Sequence, residues 1–167
     1  MSQEKSEKEL QSELNWHSYF IDMIESVKKK SKDRQTQFGC IITGPGHEIR
    51  TTGYNSFPRG LDDSVQARYE RPEKYFWMVH AEVNAIFNAA RMGTTLDGCI
   101  AYIDGLPCGN CAQGIIQVGI KEIVYNQPRW VGYMAVRDQI GQKTWTDDVK
   151  KAYDMLQECG VKITPFT

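Results

Sequence analysis

The chain of 167 residues contains 41% hydrophobic and 25% charged residues, a composition typical of a soluble globular protein and not of a disordered one. Its formal net charge is -1, so we expect neither nucleic acid nor an anionic membrane as a partner. No apolar stretch approaches the roughly 20 residues of a membrane span, and the charged beginning of the chain is unlike a secretory leader. We therefore expect a cytoplasmic protein with a single domain over residues 1–167, of which residues 1–9 are disordered.

Hydrophobic spacing and turn residues predict four helices and five strands. In chain order these are a helix at 10–27, strands at 38–43 and 49–54, a helix at 80–92, a strand at 99–103, a helix at 108–118, a strand at 121–125, a helix at 146–159 and a strand at 161–165. A loop with two prolines spans residues 55–77, and its length predicts a functional segment. Helices that alternate with strands predict an α/β fold, a three-layer α/β/α sandwich on a mixed five-stranded sheet.

Two short motifs combine metal-binding residue types with the beginnings of predicted helices. His80-Ala81-Glu82 opens one helix, and Pro107-Cys108-Gly109-Asn110-Cys111 opens the next. Residues two apart point to nearly opposite sides in mid-helix, but in the first turn both can face a site beyond the helix end. The two cysteines are three apart and share a helix face. The motifs therefore predict one site between the beginnings of two helices.

The predicted site has three ligands of the types that zinc prefers, namely His80, Cys108 and Cys111. Structural zinc sites usually have four protein ligands, whereas catalytic sites leave one position for water. Zinc lowers the pKa of that water to about 7, and Glu82, which is not a ligand, is predicted to carry its proton. The combination H-x-E with P-C-x-x-C is the signature of zinc deaminases that act on cytosine or adenine rings.

Two other interpretations of these residues stay open. A structural zinc site would need a fourth ligand, for which Cys40, Cys99 and His47 are candidates. Cysteines on predicted strands, however, are more typical of buried small apolar residues. A non-catalytic zinc module that binds a nucleotide or a protein would need the ligands but not Glu82.

A longer stretch, from about residue 36 to residue 130, resembles one known family. It contains the segments GYNSFPRG, ERPEKYFWMVHAEVNAIFNAAR and PCGNCAQGIIQVGIKEIVY. The HAE and CxxC motifs are shared by the whole zinc-dependent cytidine deaminase superfamily. The Gly-Tyr-Asn-x-x-Pro-x-Gly loop, from Gly53 to Gly60, is typical of one branch. The sequence is thus similar to the deoxycytidylate (dCMP) deaminases, and we expect the cytidine deaminase-like fold.

The resemblance implies hydrolytic deamination of dCMP to dUMP and ammonia with one catalytic Zn²⁺. It implies that Glu82 protonates ring nitrogen N3 and then the leaving amine. It also implies that Asn55 forms a hydrogen bond with the deoxyribose, and that the backbone around Ala81 and Pro107 holds the base. Related zinc deaminases that act on tRNA adenosine or guanine are the alternative within the superfamily.

The resemblance further implies regulation and assembly. Many members of the family are activated by dCTP and inhibited by dTTP at a separate site that Mg²⁺ assists. Arg59, Asp62 and Asp63 are candidates for binding a phosphate or such an effector. Members are usually homo-oligomers, and we expect a hexamer.

Two positions depart from the family pattern. The family commonly has a hydroxyl residue and an aromatic residue before the first cysteine, where this chain has Asp104-Gly105-Leu106-Pro107. An acidic Asp104 is unexpected beside a phosphorylated substrate. Ser56 stands where the family often has glycine. The phosphate contacts are therefore open, and Arg59 is the first candidate because glycine and proline fix its loop. The other candidate cations are Arg68, Arg71, Lys74 and Arg129.

Overall fold

The structure is a computed structural model that describes residues 7–139 and 143–167. Its helices and strands are, in chain order, α1 (Glu7–Val27), β1 (Gly39–Thr43), β2 (Ile49–Tyr54), α2 (Lys74–Trp77), α3 (Ala81–Met92), β3 (Ile100–Ile103), α4 (Gly109–Gln117), β4 (Glu122–Asn126), α5 (Gln127–Gln139), α6 (Lys143–Glu158) and β5 (Lys162–Phe166). Residues 1–6 of the segment expected to be disordered lie outside the described residues, and residues 7–9 belong to α1. No helix of the described ranges has both the length and the apolar character of a membrane span.

The five strands form one mixed sheet in the order β2-β1-β3-β4-β5. β1 is antiparallel to both β2 and β3, whereas β3, β4 and β5 run parallel to one another. The parallel pairs require crossover connections, which α4 provides between β3 and β4, and α5 with α6 between β4 and β5. The predicted mixed five-stranded sheet is confirmed.

Helices cover both faces of the sheet, as predicted for three layers. Because side chains alternate along a strand, Ile41 and Tyr102 point to the face that α1 covers, where they pack with Phe20. The opposite face is covered by α3, α4 and α6, which contribute buried residues such as Ile115 and Leu156. The metal-ligand motifs lie on this second face, at the beginnings of α3 and α4.

Glycine at position 53 allows α3 to lie directly on β2. A Cβ atom at Gly53 would lie 2.2 Å from the carbonyl oxygen of Ala81 and 2.4 Å from the backbone nitrogen of Ala85. Side chains also tie the helix to the strand, because Asn84 Nδ2 donates to the Tyr54 carbonyl at 2.8 Å. Thr51 Oγ1 donates in turn to the Ala85 carbonyl at 2.9 Å. These contacts fix the height at which the first turn of α3 lies above the sheet.

One helix, α5, is absent from the predicted order of elements. Its sequence, QPRWVGYMAVRDQ, shows no single apolar stripe, because Val131 and Val136 are exposed while Trp130 is buried. Glycine at position 132 lowers the helix propensity further. The predicted loop at 55–77 also contains regular structure, namely α2 and a short 3₁₀ turn at Gln66–Tyr69.

Candidate active site

Three metal-ligand side chains converge at the beginnings of α3 and α4. His80 is the N-cap residue of α3, Cys108 is the N-cap residue of α4, and Cys111 lies in the first turn of α4. His80 Nδ1 lies 3.4 Å from the Sγ atom of each cysteine, and the three donor atoms lie within 4.8 Å of one another. Within residues 7–139 and 143–167, this group of donors contains no fourth histidine, cysteine or acidic ligand, so Cys40, Cys99 and His47 do not close the site.

Contacts from outside the two motifs hold both helix ends in place. Backbone hydrogen bonds pair Ser56 with Val79, at 3.1 Å and 2.8 Å, so the long loop returns to the end of β2 just before His80. At the beginning of α4, the Gly109 amide donates to Asp148 Oδ2 of α6 at 2.9 Å. A carboxylate at this position satisfies a free amide of the first turn and meets the positive end of the helix dipole.

The pKa values of the three donor groups are shifted in different directions. The hydrogen bond with Cys108 raises the pKa of His80 to about 9, although burial opposes this shift. Hydrogen bonding from Cys111 and the neighbouring His80 lower the pKa of Cys108, whereas the bond with Cys108 and burial raise that of Cys111. One imidazole nitrogen and two sulfur donors around a common point fit a zinc ion with one open position. Such an ion would displace the protons of His80 and Cys111 on binding.

Glu82 lies in the first turn of α3, beside the three donors. Burial raises the pKa of its carboxyl group, while the nearby His80 and a hydrogen bond with Cys111 act in the opposite direction. A carboxyl group with a raised pKa holds a proton more readily, so it can donate a proton as well as accept one. The arrangement therefore combines an open metal position with an acid–base group.

The donors open into a pocket that several separate segments line. Its walls come from the loop after α1, the end of β2, α2, the first turn of α3, the residues before α4, and α5. Of the residues that the sequence assigned to substrate binding, Asn55 and Ala81 line this pocket. Pro107 is buried between two lining residues, Leu106 and Cys108.

Asn55 forms hydrogen bonds with the loop that follows α1. Its Oδ1 accepts from the Ser31 hydroxyl at 2.8 Å and from the Phe38 amide at 2.7 Å. Its Nδ2 donates to the Thr36 carbonyl at 2.8 Å and, over 3.4 Å, to Asp33 Oδ2. The side chain thus holds one wall of the pocket together.

The proposed effector residues do not line a common pocket. Arg59 lines a second pocket, with Tyr54, Ser56, Phe57, Asn84 and Asn88, and donates to Asn88 Oδ1. Asp62 accepts from the Ser64 amide and hydroxyl, at 2.9 Å and 2.7 Å. Asp63 pairs with Lys32. Neither aspartate lines the metal-site pocket or the pocket around Arg59.

Asp104 is buried and surrounded by donors. Its Oδ2 accepts from the Gly39 amide at 2.8 Å, and its Oδ1 lies 2.9 Å from Arg129 Nε and 3.4 Å from Lys28 Nζ. Burial nevertheless raises the pKa of the Asp104 carboxyl group, so the partners offset only part of the desolvation. The carboxyl group of Asp104, which is unexpected beside a phosphorylated substrate, is therefore paired with Arg129 and Lys28.

Sequence reasoning missed the contribution of α5 to the pocket. Trp130, Tyr133 and Arg137 all line it, and no motif marked them because the helix itself was not predicted. It also missed the ion pair between Lys74 and Asp33. The Nζ atom of Lys74 lies 2.7 Å from Oδ2 of Asp33, and both side chains are buried. Arg137 joins the pocket from a position 26 residues beyond Cys111 and from a separate helix.

The fold and the three donors define a zinc-type site with an open position, and comparison with known proteins identifies the family. Residues 14–127 match the family described as the cytidine and deoxycytidylate deaminase zinc-binding region. That match spans more than half of the chain. The protein belongs to this family.

Curated relatives of the chain are named as deaminases, as three examples show. An uncharacterized deaminase in the luxG 3′ region of Aliivibrio fischeri is 35% identical, over 89% of this chain and 92% of the relative. A probable deoxycytidylate deaminase of Caenorhabditis elegans is 39% identical, over 70% of this chain and 60% of the relative. The deoxycytidylate deaminase of Homo sapiens is 35% identical, over 70% of this chain and 67% of the relative. The chain thus spans about two thirds or less of the two deoxycytidylate deaminases.

Solved structures share the fold. The dCMP deaminase of cyanophage S-TIM5 in its apo form superposes with a TM-score of 0.65 at 20% identity, over 90% of this chain and 96% of the phage protein. A deaminase/reductase from Thermotoga maritima gives a TM-score of 0.57 at 17% identity, over 92% of this chain and 37% of that protein. The expected cytidine deaminase-like fold is confirmed.

Proposed function

We propose that the protein deaminates dCMP hydrolytically, giving dUMP and ammonia. The observation that carries the proposal is the group formed by His80, Cys108 and Cys111, which leaves one metal position open in a pocket that also contains Glu82. The worm and human relatives that share the family are named as deoxycytidylate deaminases. Their names and the open metal position support the same reaction.

In this proposal His80, Cys108 and Cys111 hold the zinc ion. When bound, zinc lowers the pKa of water to about 7 and so makes a nucleophile accessible at neutral pH. Glu82 accepts the proton of the attacking water and delivers it to N3 of the cytosine ring. It then takes the remaining proton from the hydroxyl group now on C4 and passes it to the amine, so that the C–N bond breaks, ammonia leaves and the C4 carbonyl of dUMP forms. The raised pKa of its carboxyl group suits a residue that must release protons as well as accept them.

The base and sugar are held by residues around the metal position. The backbone near Ala81 and Pro107 contacts the base edge. Asn55 binds the deoxyribose through Nδ2, whose contact with Asp33 is long at 3.4 Å. A sugar oxygen can replace this contact while the other three hydrogen bonds of the amide remain.

The proposal also includes regulation by dCTP and dTTP and a homo-oligomeric, hexameric assembly, as the family resemblance implies. Arg59 lies in a pocket distinct from that of the metal ligands, which supports an effector role over a role in catalysis. With Mg²⁺ present, dCTP should raise the rate of dCMP deamination and dTTP should lower it. Arg59→Ala should abolish both responses, and an unchanged response would remove Arg59 from this role. Sedimentation analysis measures the mass of the assembly and so tests whether the protein is a hexamer.

The reaction itself is tested by following the loss of cytosine absorbance from dCMP. The zinc-loaded protein should turn over dCMP, and Glu82→Gln should lose nearly all turnover, by about 100-fold or more, while zinc remains bound. Retained activity in Glu82→Gln would contradict the proton-shuttle role. Zinc content measured by elemental analysis separates loss of the shuttle from loss of the metal.

Guanine and adenosine in tRNA are the substrates to compare with dCMP. Turnover of guanine or of adenosine in tRNA, without turnover of dCMP, would contradict the proposed substrate and keep the deaminase class. Binding of zinc without turnover of any of the three would favour a non-catalytic zinc module.

A further inference from the structure

Helix α5 presents one face to the metal-site pocket. Trp130, Tyr133 and Arg137 are three and four residues apart, so they lie on the same side of the helix, and all three line the pocket. Val131 and Val136 lie on the other side, where 58% and 57% of their surface is exposed. The helix therefore forms a wall whose polar end is the guanidinium group of Arg137.

Asp104 and Gly105 dock the beginning of this helix. Asp104 Oδ1 lies 2.9 Å from Arg129 Nε, and the same guanidinium donates through Nη2 to the Gln37 carbonyl at 2.5 Å. A Cβ atom at Gly105 would lie 2.3 Å from Cε3 of Trp130, so only glycine lets the indole ring pack against this backbone. Asp104 and Gly105, both in the stretch that departs from the family pattern, thus act together, because each accommodates one of the neighbouring residues Arg129 and Trp130.

Arg137 is the pocket cation that α5 contributes. Only 5% of its surface is exposed, and it donates to the Tyr75 hydroxyl at 3.4 Å and to the Tyr133 hydroxyl. Lys74 also lines the pocket, but its ammonium group forms a buried ion pair with Asp33. Arg59 lies in the second pocket.

We propose that Arg137 binds the 5′-phosphate of the nucleotide substrate and that Asp104 positions it by docking α5. This inference rests on the proposed function, because it names the group that distinguishes a nucleotide from a nucleoside at the same site. A guanidinium group presents parallel N–H donors that match two phosphate oxygens. The hydroxyl groups of Tyr75 and Tyr133 supply further donors beside it.

The first experiment compares kcat/KM for dCMP with kcat/KM for deoxycytidine, which lacks the phosphate. Arg137→Gln should lower the dCMP to deoxycytidine ratio about 10-fold or more, because hydrogen bonds to charged groups are lost only with the nucleotide. Arg137→Lys should recover part of the ratio, since it keeps the charge without the paired donors. Lys151→Gln, which removes a positive charge from an exposed position on α6, is the matched control and should leave the ratio unchanged.

A ratio that stays the same in Arg137→Gln would overturn the inference. Because a buried arginine can also support folding, Tyr75→Phe provides a second variant at a residue that is 48% exposed. It should lower the same ratio by a smaller factor. An unchanged ratio in both variants would assign the phosphate to another cation.

Binding of the product separates failure of this inference from failure of the proposed function. Calorimetry with dUMP and with deoxyuridine needs no turnover, and Arg137→Gln should weaken binding of dUMP about 10-fold more than binding of deoxyuridine. If the protein deaminates dCMP and the variant binds dUMP normally, the inference fails alone. If the wild-type protein neither turns over dCMP nor binds dUMP, the proposed function fails first.

The positioning role of Asp104 has its own readout. Asp104→Asn should raise KM for dCMP with little change in kcat and should lower the dCMP to deoxycytidine ratio. Combined with Arg129→Gln, it should add little further loss, because both substitutions break the same link to α5. Equal losses for dCMP and deoxycytidine, or fully additive losses in the double variant, would indicate a general structural role and overturn the positioning role.

Discussion

The two cysteines of the metal site are not equivalent as residues. Cys108 is half-buried at the helix end and its pKa is lowered, whereas Cys111 is buried and its pKa is raised. Zinc binds thiolates, so an arriving ion displaces any proton that either sulfur still carries.

Removing Cys108 should remove the metal. We expect Cys108→Ala to lose most of its bound zinc and to melt several degrees lower, because the energy of forming the site is part of the folding energy. Elemental analysis and a melting curve measure both effects. Cys159→Ala, at an exposed cysteine, is the control and should keep full zinc content. A fully loaded Cys108→Ala variant would refute the ligand assignment.

Asp104 should impose a pH dependence on folding stability. Burial raises the pKa of its carboxyl group above the usual 3.8, although Arg129, the Gly39 amide and Lys28 lower it and Glu25 adds a small increase. The native state then binds the proton more tightly than the unfolded state does. The contribution of Asp104 to stability must therefore fall as the pH rises from about 4 through the folded-state pKa.

Asp104→Asn isolates this effect. As the pH rises from about 4 to about 7, the free energy of unfolding of the wild type should fall relative to that of the variant. Urea unfolding measures both values. Titration of the zinc site affects both proteins alike and largely cancels in the difference. If the free energy of unfolding of the wild type rises relative to that of the variant instead, the cationic partners of Asp104 outweigh the desolvation of its carboxylate.

At the scale of elements, the approach of α3 to β2 depends on one glycine. Gly53→Ala would bring a Cβ atom within 2.2 Å of the Ala81 carbonyl and should destabilise the protein by about 2 kcal/mol or more. It should also reduce zinc binding, because the first turn of α3 carries His80. Urea unfolding and zinc titration give the two values.

Gly132→Ala is the control for this substitution. Apart from the neighbouring backbone of α5 itself, no atom of residues 7–139 and 143–167 lies within 4 Å of a Cβ at this position, so we expect unchanged zinc binding and a gain of about 0.5 to 1 kcal/mol from helix propensity. If both alanine variants behave alike, close packing of α3 on β2 does not govern the position of the ligands.

The sequence predicted those elements whose pattern is local. β2 was predicted with the observed bounds, Ile49–Tyr54, because a glycine turn and alternating residues mark it. The convergence of His80, Cys108 and Cys111 was likewise predictable, since a helix start and a spacing of three bring the two cysteines together. The roles of Asp104 and Arg137 were not, because the amide that Asp104 accepts from lies 65 residues away and the Tyr75 hydroxyl lies 62 residues from Arg137. The contact between Asp104 and Gly39 depends on how distant strands pair in the sheet. The contact between Arg137 and Tyr75 depends on α5, a helix that no apolar stripe marks in the sequence.

At the scale of the whole molecule, the proposed metal site lies between two helices that the sheet already supports. α3 packs on β2, and α4 packs with α6 on the same face, where Ala85, Ile115 and Leu156 are fully buried. Each large apolar side chain buried in this way stabilises the fold by about 1.5 to 3 kcal/mol. We therefore expect the core to form without the metal, unlike that of a zinc finger.

Removal of zinc by a chelator should accordingly lower the melting temperature without unfolding the protein at 25 °C. We expect a decrease of at least about 5 °C, since loss of a tightly bound ligand removes several kcal/mol of stabilisation. Hydrogen exchange should increase at residues 80–84 and 108–112, where the donors hold the helix ends, and should change little in β1 and β3. Readdition of zinc should reverse both changes. Complete unfolding on chelation would show instead that the site is needed to build the core, and unchanged exchange at both helix ends would show that the metal does not join them.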